Sequence, residues 1–218
     1  AALFSSMEIL TVPVFVLAGY SFDHSRSLEA GIKYLILSAT STAFMLFGMA
    51  LLYAQTGSLS YAGVQSALAQ TAQTAPLMLA GFAMIFIAFA FKLSFAPFHL
   101  WTPDVYEGAP APVSAFLATA SKVAVFAAFL RLWQWMPALS DGVMNDVLAA
   151  VAGLSIVVGN LLALTQTNIK RMLGYSSIAH FGYLLIAVVS GLNIERSAVM
   201  IYLVTYVVTV LAAFGVVV

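Results

Sequence analysis

The chain has 218 residues, 63% of them hydrophobic and 7% charged, with a mean hydropathy of +1.04. A soluble domain carries about 25% charged residues, so the composition excludes one and specifies an integral membrane protein. Eight basic and eight acidic residues cancel, which removes the basis for nucleic-acid binding; the lack of cysteine excludes disulfides, thiolate metal sites and iron–sulfur ligation.

In chain order, apolar stretches of spanning length predict helices over 1–20, 30–54, 77–98, 111–135, 147–166, 172–191 and 197–218. Each comes close to the roughly 20 residues a membrane helix needs. The runs are continuous rather than alternating, which argues against a β-barrel. The fold class is therefore all-α, a polytopic membrane helix bundle. Residue 1 is not Met and both ends fall inside apolar runs, giving the expectation of an internal piece of a longer polytopic protein.

Two connections differ in character. Segment 55–75 is uncharged and rich in Gln, Ala, Ser and Thr, with room for a short surface helix. Between the third and fourth spans, Pro97, Pro103, Pro110 and Pro112 crowd the connection, a density that predicts no regular helix there. The fifth and seventh spans read as ordinary membrane helices with little chemistry. Lys and Arg near the helix ends (Arg26, Lys170 and Arg171, with Lys33 just inside) weight one side slightly over the side of Arg131 and Arg196. This bias places the connection before the second span, and that before the sixth, in the cytoplasm.

The chemistry is concentrated in a few ionisable residues at bilayer depth. A charge there costs from ~3 to ~10 kcal/mol, so chains that keep one usually face it inward and use it. Lys92 lies deep in the third span, just ahead of Pro97 and His99. Pro97 cannot donate to the Leu93 carbonyl, so the helix is predicted to break one turn past the lysine. Broken helices survive at membrane depth only where they line protein or a wet cavity. Burial favours a neutral amine and an approaching acid a charged one, so such a lysine can load and release a proton. Lys122 is equally central in the fourth span, beside Ala118, Thr119, Ala120 and Ser121, whose small side chains permit close helix approach. For both lysines, snorkelling to the interface is too long a reach.

Glu8 lies within the first span, one turn before Pro13. It reads either as a charge partner of a lysine or as a protonated core carboxyl, and the first reading is preferred. Lys33 sits near the start of the second span, where snorkelling and an i,i+4 pair with Glu29 explain it as well as function does. His180, near Tyr175, Ser176 and Ser177 in the sixth span, is balanced between proton relay and packing. Asp104 and Glu107 are read as caps of a short half-helix, and Arg131, Lys170, Arg171 and Arg196 as anchors of helix ends. The sequence has no Gly-rich phosphate loop, no metal-spaced histidine cluster and no Ser-His-Asp set.

The stretches FKLSFAPFHLWTPDVYEGAPAPVSAFLATASK (91–122), TNIKRMLGYSSIAHFGYLL (167–185) and SLEAGIKYLILSATSTAFMLFGMALLYAQTG (27–57) resemble the antiporter-like membrane subunits of respiratory complex I. The resemblance covers nearly the whole chain. It implies part of a fourteen-helix fold of two inverted five-helix repeats, each with a broken helix. Residues 1–135 would belong to the first repeat and 147–218 would open the second, with the second broken helix beyond Val218. It further implies that Glu8, Lys92 and Lys122 serve proton translocation, with Lys92 on the broken helix and Lys122 connecting toward the second half-channel. His99 and His180 would lie on the polar axis between the channels, and Lys33 joins the candidates.

The implied function is proton translocation as a subunit of NADH–quinone oxidoreductase in the bacterial inner membrane, driven by quinone reduction elsewhere. This chain would carry no cofactor; NADH, flavin, iron–sulfur clusters and quinone are expected on partner subunits. Its partners would be other membrane-arm subunits, including related antiporter-like ones. The alternative is a subunit of a multi-subunit sodium–proton antiporter, which would exchange sodium without a dehydrogenase partner.

Overall fold

A computed structural model describes residues 2–70, 76–134, 143–190 and 196–217. These residues form α1 (Ala2–Ala18), α2 (Ser25–Thr56), α3 (Tyr61–Gln70), α4 (Pro76–Leu93), α5 (Trp101–Gly108) and α6 (Ala111–Phe116). A π turn over Leu117–Ser121 leads from α6 into α7 (Lys122–Gln134); α8 (Val143–Leu164), α9 (Ile169–Val189) and α10 (Arg196–Val217) follow. No strand occurs among the described residues. Of the seven predicted spans, six are helices long and apolar enough to cross a membrane, with α6 through α7 counted as one. The first, α1, is apolar but only 17 residues long and runs on through Pro13. The short helix predicted in 55–75 is α3.

Helix ends follow their sequence signals. Gly57 ends α2 in the left-handed region (φ 66°), where its N–H reaches the Tyr53 carbonyl. Asn168 starts α9, its side chain accepting from the N–H groups of Lys170 and Arg171.

The proline-dense connection departs from expectation, because it holds the eight-residue helix α5. Pro103 is its third residue, in the first turn, where a backbone N–H has no intrahelical partner to lose. The predicted break is present but begins earlier than one turn past the lysine: α4 stops at Leu93, directly after Lys92, and Ser94 turns into the left-handed region at φ 63°, three residues ahead of Pro97.

Small residues set the helix spacing. A Cβ on Gly159 of α8 would lie 2.6 Å from the Ala179 nitrogen of α9, and one on Gly48 of α2 would lie 2.6 Å from the Gly81 carbonyl oxygen of α4. Helices that approach this closely leave little room for movement and fix the side chains between them. One apolar cluster, including Phe89, Phe126, Phe129 and Phe181, joins α4, α7 and α9. A second, including Tyr34, Trp101, Tyr106 and Phe214, packs around α5.

Candidate functional site: two buried lysines flanking a broken helix

Lys92 lies in the last turn of α4 with only 8% of its surface exposed. Its Nζ donates to Thr11 Oγ1 of α1 (2.5 Å) and Ser38 Oγ of α2 (2.8 Å). The Thr11 hydroxyl in turn donates to the Met7 carbonyl, so its oxygen is free to accept from the lysine. Along the same two helices, Thr42 Oγ1 donates to Glu8 Oε1 at 2.7 Å. Glu8 and Thr11 are three residues apart on α1, and Ser38 and Thr42 four apart on α2. The acid and the lysine therefore bridge the same pair of helices about one turn apart. Among the described residues no ion pair joins Glu8 to Lys92. Each is held instead by hydroxyl side chains on the same two helices.

The break after Lys92 is satisfied from within the protein. The Phe95 N–H turns back to the Ala90 carbonyl. The Ala96 N–H donates to Ser155 Oγ of α8 (2.9 Å), and Trp101 Nε1 donates to the Phe91 carbonyl (2.9 Å). Thr102 and Ser94 hydroxyls meet at 2.5 Å. Lipid could supply none of these bonds, which is why an interrupted helix persists here. The chemistry of the fifth span was thus underestimated: Ser155 holds the break, though a serine in an apolar helix carries no signal of such a role.

Lys122 follows directly on the π turn and is 1% exposed. Its Nζ donates to Ser177 Oγ of α9 (2.8 Å) and lies 5.2 Å from the Phe181 ring centre and 5.9 Å from that of Tyr106. The Ser177 oxygen also meets the Tyr206 hydroxyl of α10 at 2.8 Å, and that hydroxyl reaches the Ala118 carbonyl at 2.9 Å. Alongside, His180 Nδ1 and the Tyr202 hydroxyl are 2.7 Å apart, and the His180 and Tyr206 rings are 5.3 Å apart. The seventh span, read as chemically plain, therefore supplies both tyrosines. Their signal was faint, because tyrosine in a membrane helix is unremarkable until its hydroxyl finds a buried partner.

His99 is buried in the break, its ring 6.4 Å from that of Tyr175. Neither ring nitrogen has a hydrogen-bond partner among the described residues. The structure thus bonds His99 to neither lysine.

Lys33 belongs to a separate cluster of charges. Its Nζ pairs with Glu29 (2.6 Å) and with Asp104 (2.7 Å). Arg171 Nη1 pairs with Asp104 (2.7 Å) and Glu107 (3.0 Å), and Arg26 with Glu107 (2.6 Å). These residues line a cavity of about 150 Å³ and join α2, α5 and α9. Asp104 and Glu107 make no side-chain cap on α5, so their predicted capping role is replaced by ion pairing. Spacing gave no hint of this, since the partners lie 64 to 81 residues away. The basic residues read as anchors fare differently. Arg26 and Arg171 join the cluster, and Lys170 donates to the Ala109 carbonyl (2.8 Å). Arg131 lies over the Tyr61 ring. The Arg196 side chain falls outside the described residues. Burial alone would push the Asp104 carboxyl up, but bonds from Lys33 and Arg171 outweigh it and hold it below its usual range.

No group of metal-binding side chains is found among the described residues. The site can hold a proton on either of two buried amines, Lys92 among hydroxyl acceptors and Lys122 beside one hydroxyl and two aromatic rings.

Residues 1–218 match the family described as NADH:quinone oxidoreductase/Mrp antiporter, transmembrane. NADH-quinone oxidoreductase subunit N of Ectopseudomonas mendocina (strain ymp) is 57% identical over 215 residues, 99% of this chain and 43% of its own length. A chain of respiratory complex I from Thermus thermophilus with bound aureothin is 40% identical with a TM-score of 0.82, covering 98% of this chain and 45% of that one. A chain of the Mrp complex from Dietzia sp. DQ12-45-1b shares the fold, with a TM-score of 0.84 at 21% identity over 97% of this chain and 39% of that one. This chain spans less than half the length of these relatives.

Proposed function

The chain belongs to the NADH:quinone oxidoreductase/Mrp antiporter transmembrane family, and on that premise we propose that it is the proton-handling part of an antiporter-like subunit of complex I. The observation that carries the reading is the pair of buried lysines, Lys92 and Lys122, in separate hydroxyl-lined sites flanking a broken helix. An amine in such a site is costly to keep charged and is held there by its acceptors, so a modest change in the local field moves its proton. The 57% identity to a subunit N favours the complex I reading over sodium–proton exchange.

In this reading a proton reaches Lys92 while Glu8 is charged, and is released when that negative field weakens. It passes the break near His99 to Lys122, then leaves toward the second half of the subunit. The helices need not move far; each site's proton affinity is set by charges in its neighbours, which is coupling by electrostatics. Residues 1–135 and 147–218 would belong to two inverted repeats. The end bearing the Arg26, Lys33 and Arg171 cluster would face the cytoplasm of a bacterial inner membrane. NADH, flavin, iron–sulfur clusters and quinone would be bound by partner subunits, with related antiporter-like subunits alongside.

The test uses the full-length subunit in the assembled complex in proteoliposomes, comparing wild type with Lys92→Ala. Quinone-dependent NADH oxidation and proton transport are recorded together. Both are expected to collapse with assembly intact. If both stay near wild type, the lysine is structural and the reading fails. Transport that requires sodium would instead favour the exchanger.

A further inference from the structure

We propose that Ser177 and Tyr206 form a proton relay on the far side of Lys122, carrying its proton to the cavity beside His180. The inference rests on the proton-handling reading above and names the residues that act beyond the second lysine.

Hydrogen counting carries it. The Tyr206 hydroxyl has one hydrogen and two acceptors within reach, Ala118 O at 2.9 Å and Ser177 Oγ at 2.8 Å. It can serve only one at a time. Ser177 likewise has one hydrogen and is hydrogen-bonded to two groups, Lys122 Nζ and the Tyr206 hydroxyl. When Lys122 is an ammonium it can only donate, so Ser177 accepts from it. Ser177 then donates to Tyr206, and Tyr206 donates to Ala118 O. When Lys122 is a neutral amine it can accept, and the two bonds to Ser177 reverse while that to Ala118 O is given up: Tyr206 donates to Ser177, and Ser177 to Lys122.

A proton transfer converts one arrangement into the other. Lys122 gives a proton to Ser177 Oγ, and Ser177 gives its own to the Tyr206 oxygen. Tyr206, turning from Ala118, gives its own to a water in the adjoining cavity. One proton leaves the lysine and one enters the cavity, while both hydroxyls end neutral. That cavity, about 150 Å³, is lined by Tyr206, Tyr202, His180, Ser176, Thr205 and Thr209. The π turn belongs to the same device. It carries Ala118, whose carbonyl is the resting acceptor, immediately before Lys122; such turns recur at functional sites. Tyr206 is held for the role, buried with its ring at 5.4 Å from that of Phe181.

The test again uses the full-length subunit in the assembled complex, with Ser177→Ala, Tyr206→Phe, their double variant and Lys122→Ala. Each single change removes one hydroxyl and keeps the packing, and assembly is checked by the amount of complex recovered. Proton transport is expected to fall about a hundredfold in each single variant, at the low end of what a positioned acid–base group contributes. The double variant should be no slower than the slower single one, because both break one path. The solvent deuterium isotope effect should change in both. Two results overturn the relay: near-wild-type transport in both single variants while Lys122→Ala fails, or losses that multiply in the double. Near-wild-type transport in Lys122→Ala as well would instead sink the proton-handling reading itself.

Discussion

At the scale of single residues, the two lysines are buried alike but faced differently. Lys92 has two hydroxyl acceptors and an acid one turn away on the same helices; Lys122 has one hydroxyl and two aromatic rings. Both positions were legible in the sequence, because a lysine in an apolar run stands out against its neighbours. Their partners were not, since threonine and serine are common in membrane helices and Thr11 and Ser38 lie 81 and 54 residues from Lys92. Thr11→Val tests the first cage, because valine keeps the shape and loses only the oxygen. A hydrogen bond to a charged group is worth about 1.5–3 kcal/mol, so proton transport is expected to fall about tenfold or more with assembly unchanged. Transport at the wild-type rate would mean that Ser38 alone holds the ammonium.

At the scale of elements, the central feature is a helix interrupted just past Lys92. Pro97 announced the interruption from sequence alone, through the donor it lacks. What closes the interruption could not be read there, because Ser155 comes from a helix 59 residues away and the indole of Trp101 reaches back to Phe91. The π turn before Lys122 has no sequence signal either; its residues, Leu117 to Ser121, would suit an ordinary α-helix. Ser155→Ala isolates the contribution of α8. It leaves the Ala96 N–H buried without its acceptor, at a cost of about 1–3 kcal/mol. The full-length subunit should melt at a lower temperature, and the break should exchange amide hydrogen faster. Unchanged exchange at Ala96 would show that another acceptor takes the bond.

For the molecule as a whole, the ion cluster does what no single helix can. It ties α5, the short helix past the break, to α2 on one side and α9 on the other. Gly108 is pressed against the Arg26 backbone at the same junction, and Gly174 of α9 packs on Pro103. The helix that follows Lys92 and His99 is thereby fixed to elements on both sides of the chain, and the two lysine sites keep their spacing. Asp104 is the hub, bonded to both Lys33 and Arg171. Its carboxyl is held below the usual value of about 3.9, so its contribution is complete above that value and is lost as pH falls through the lower, folded one. The pairs are about a third open to water and therefore screened, so Asp104→Asn should destabilise the full-length subunit by only about 1 kcal/mol near neutral pH. Thermal unfolding of wild type and variant, followed from neutral to acid, should show two curves that begin to approach below the usual carboxylate value and converge only once pH has fallen through the lower, folded one, where the wild-type carboxyl takes up a proton too. A gap that stays constant across that range would mean that Asp104 holds α5 by shape rather than by charge.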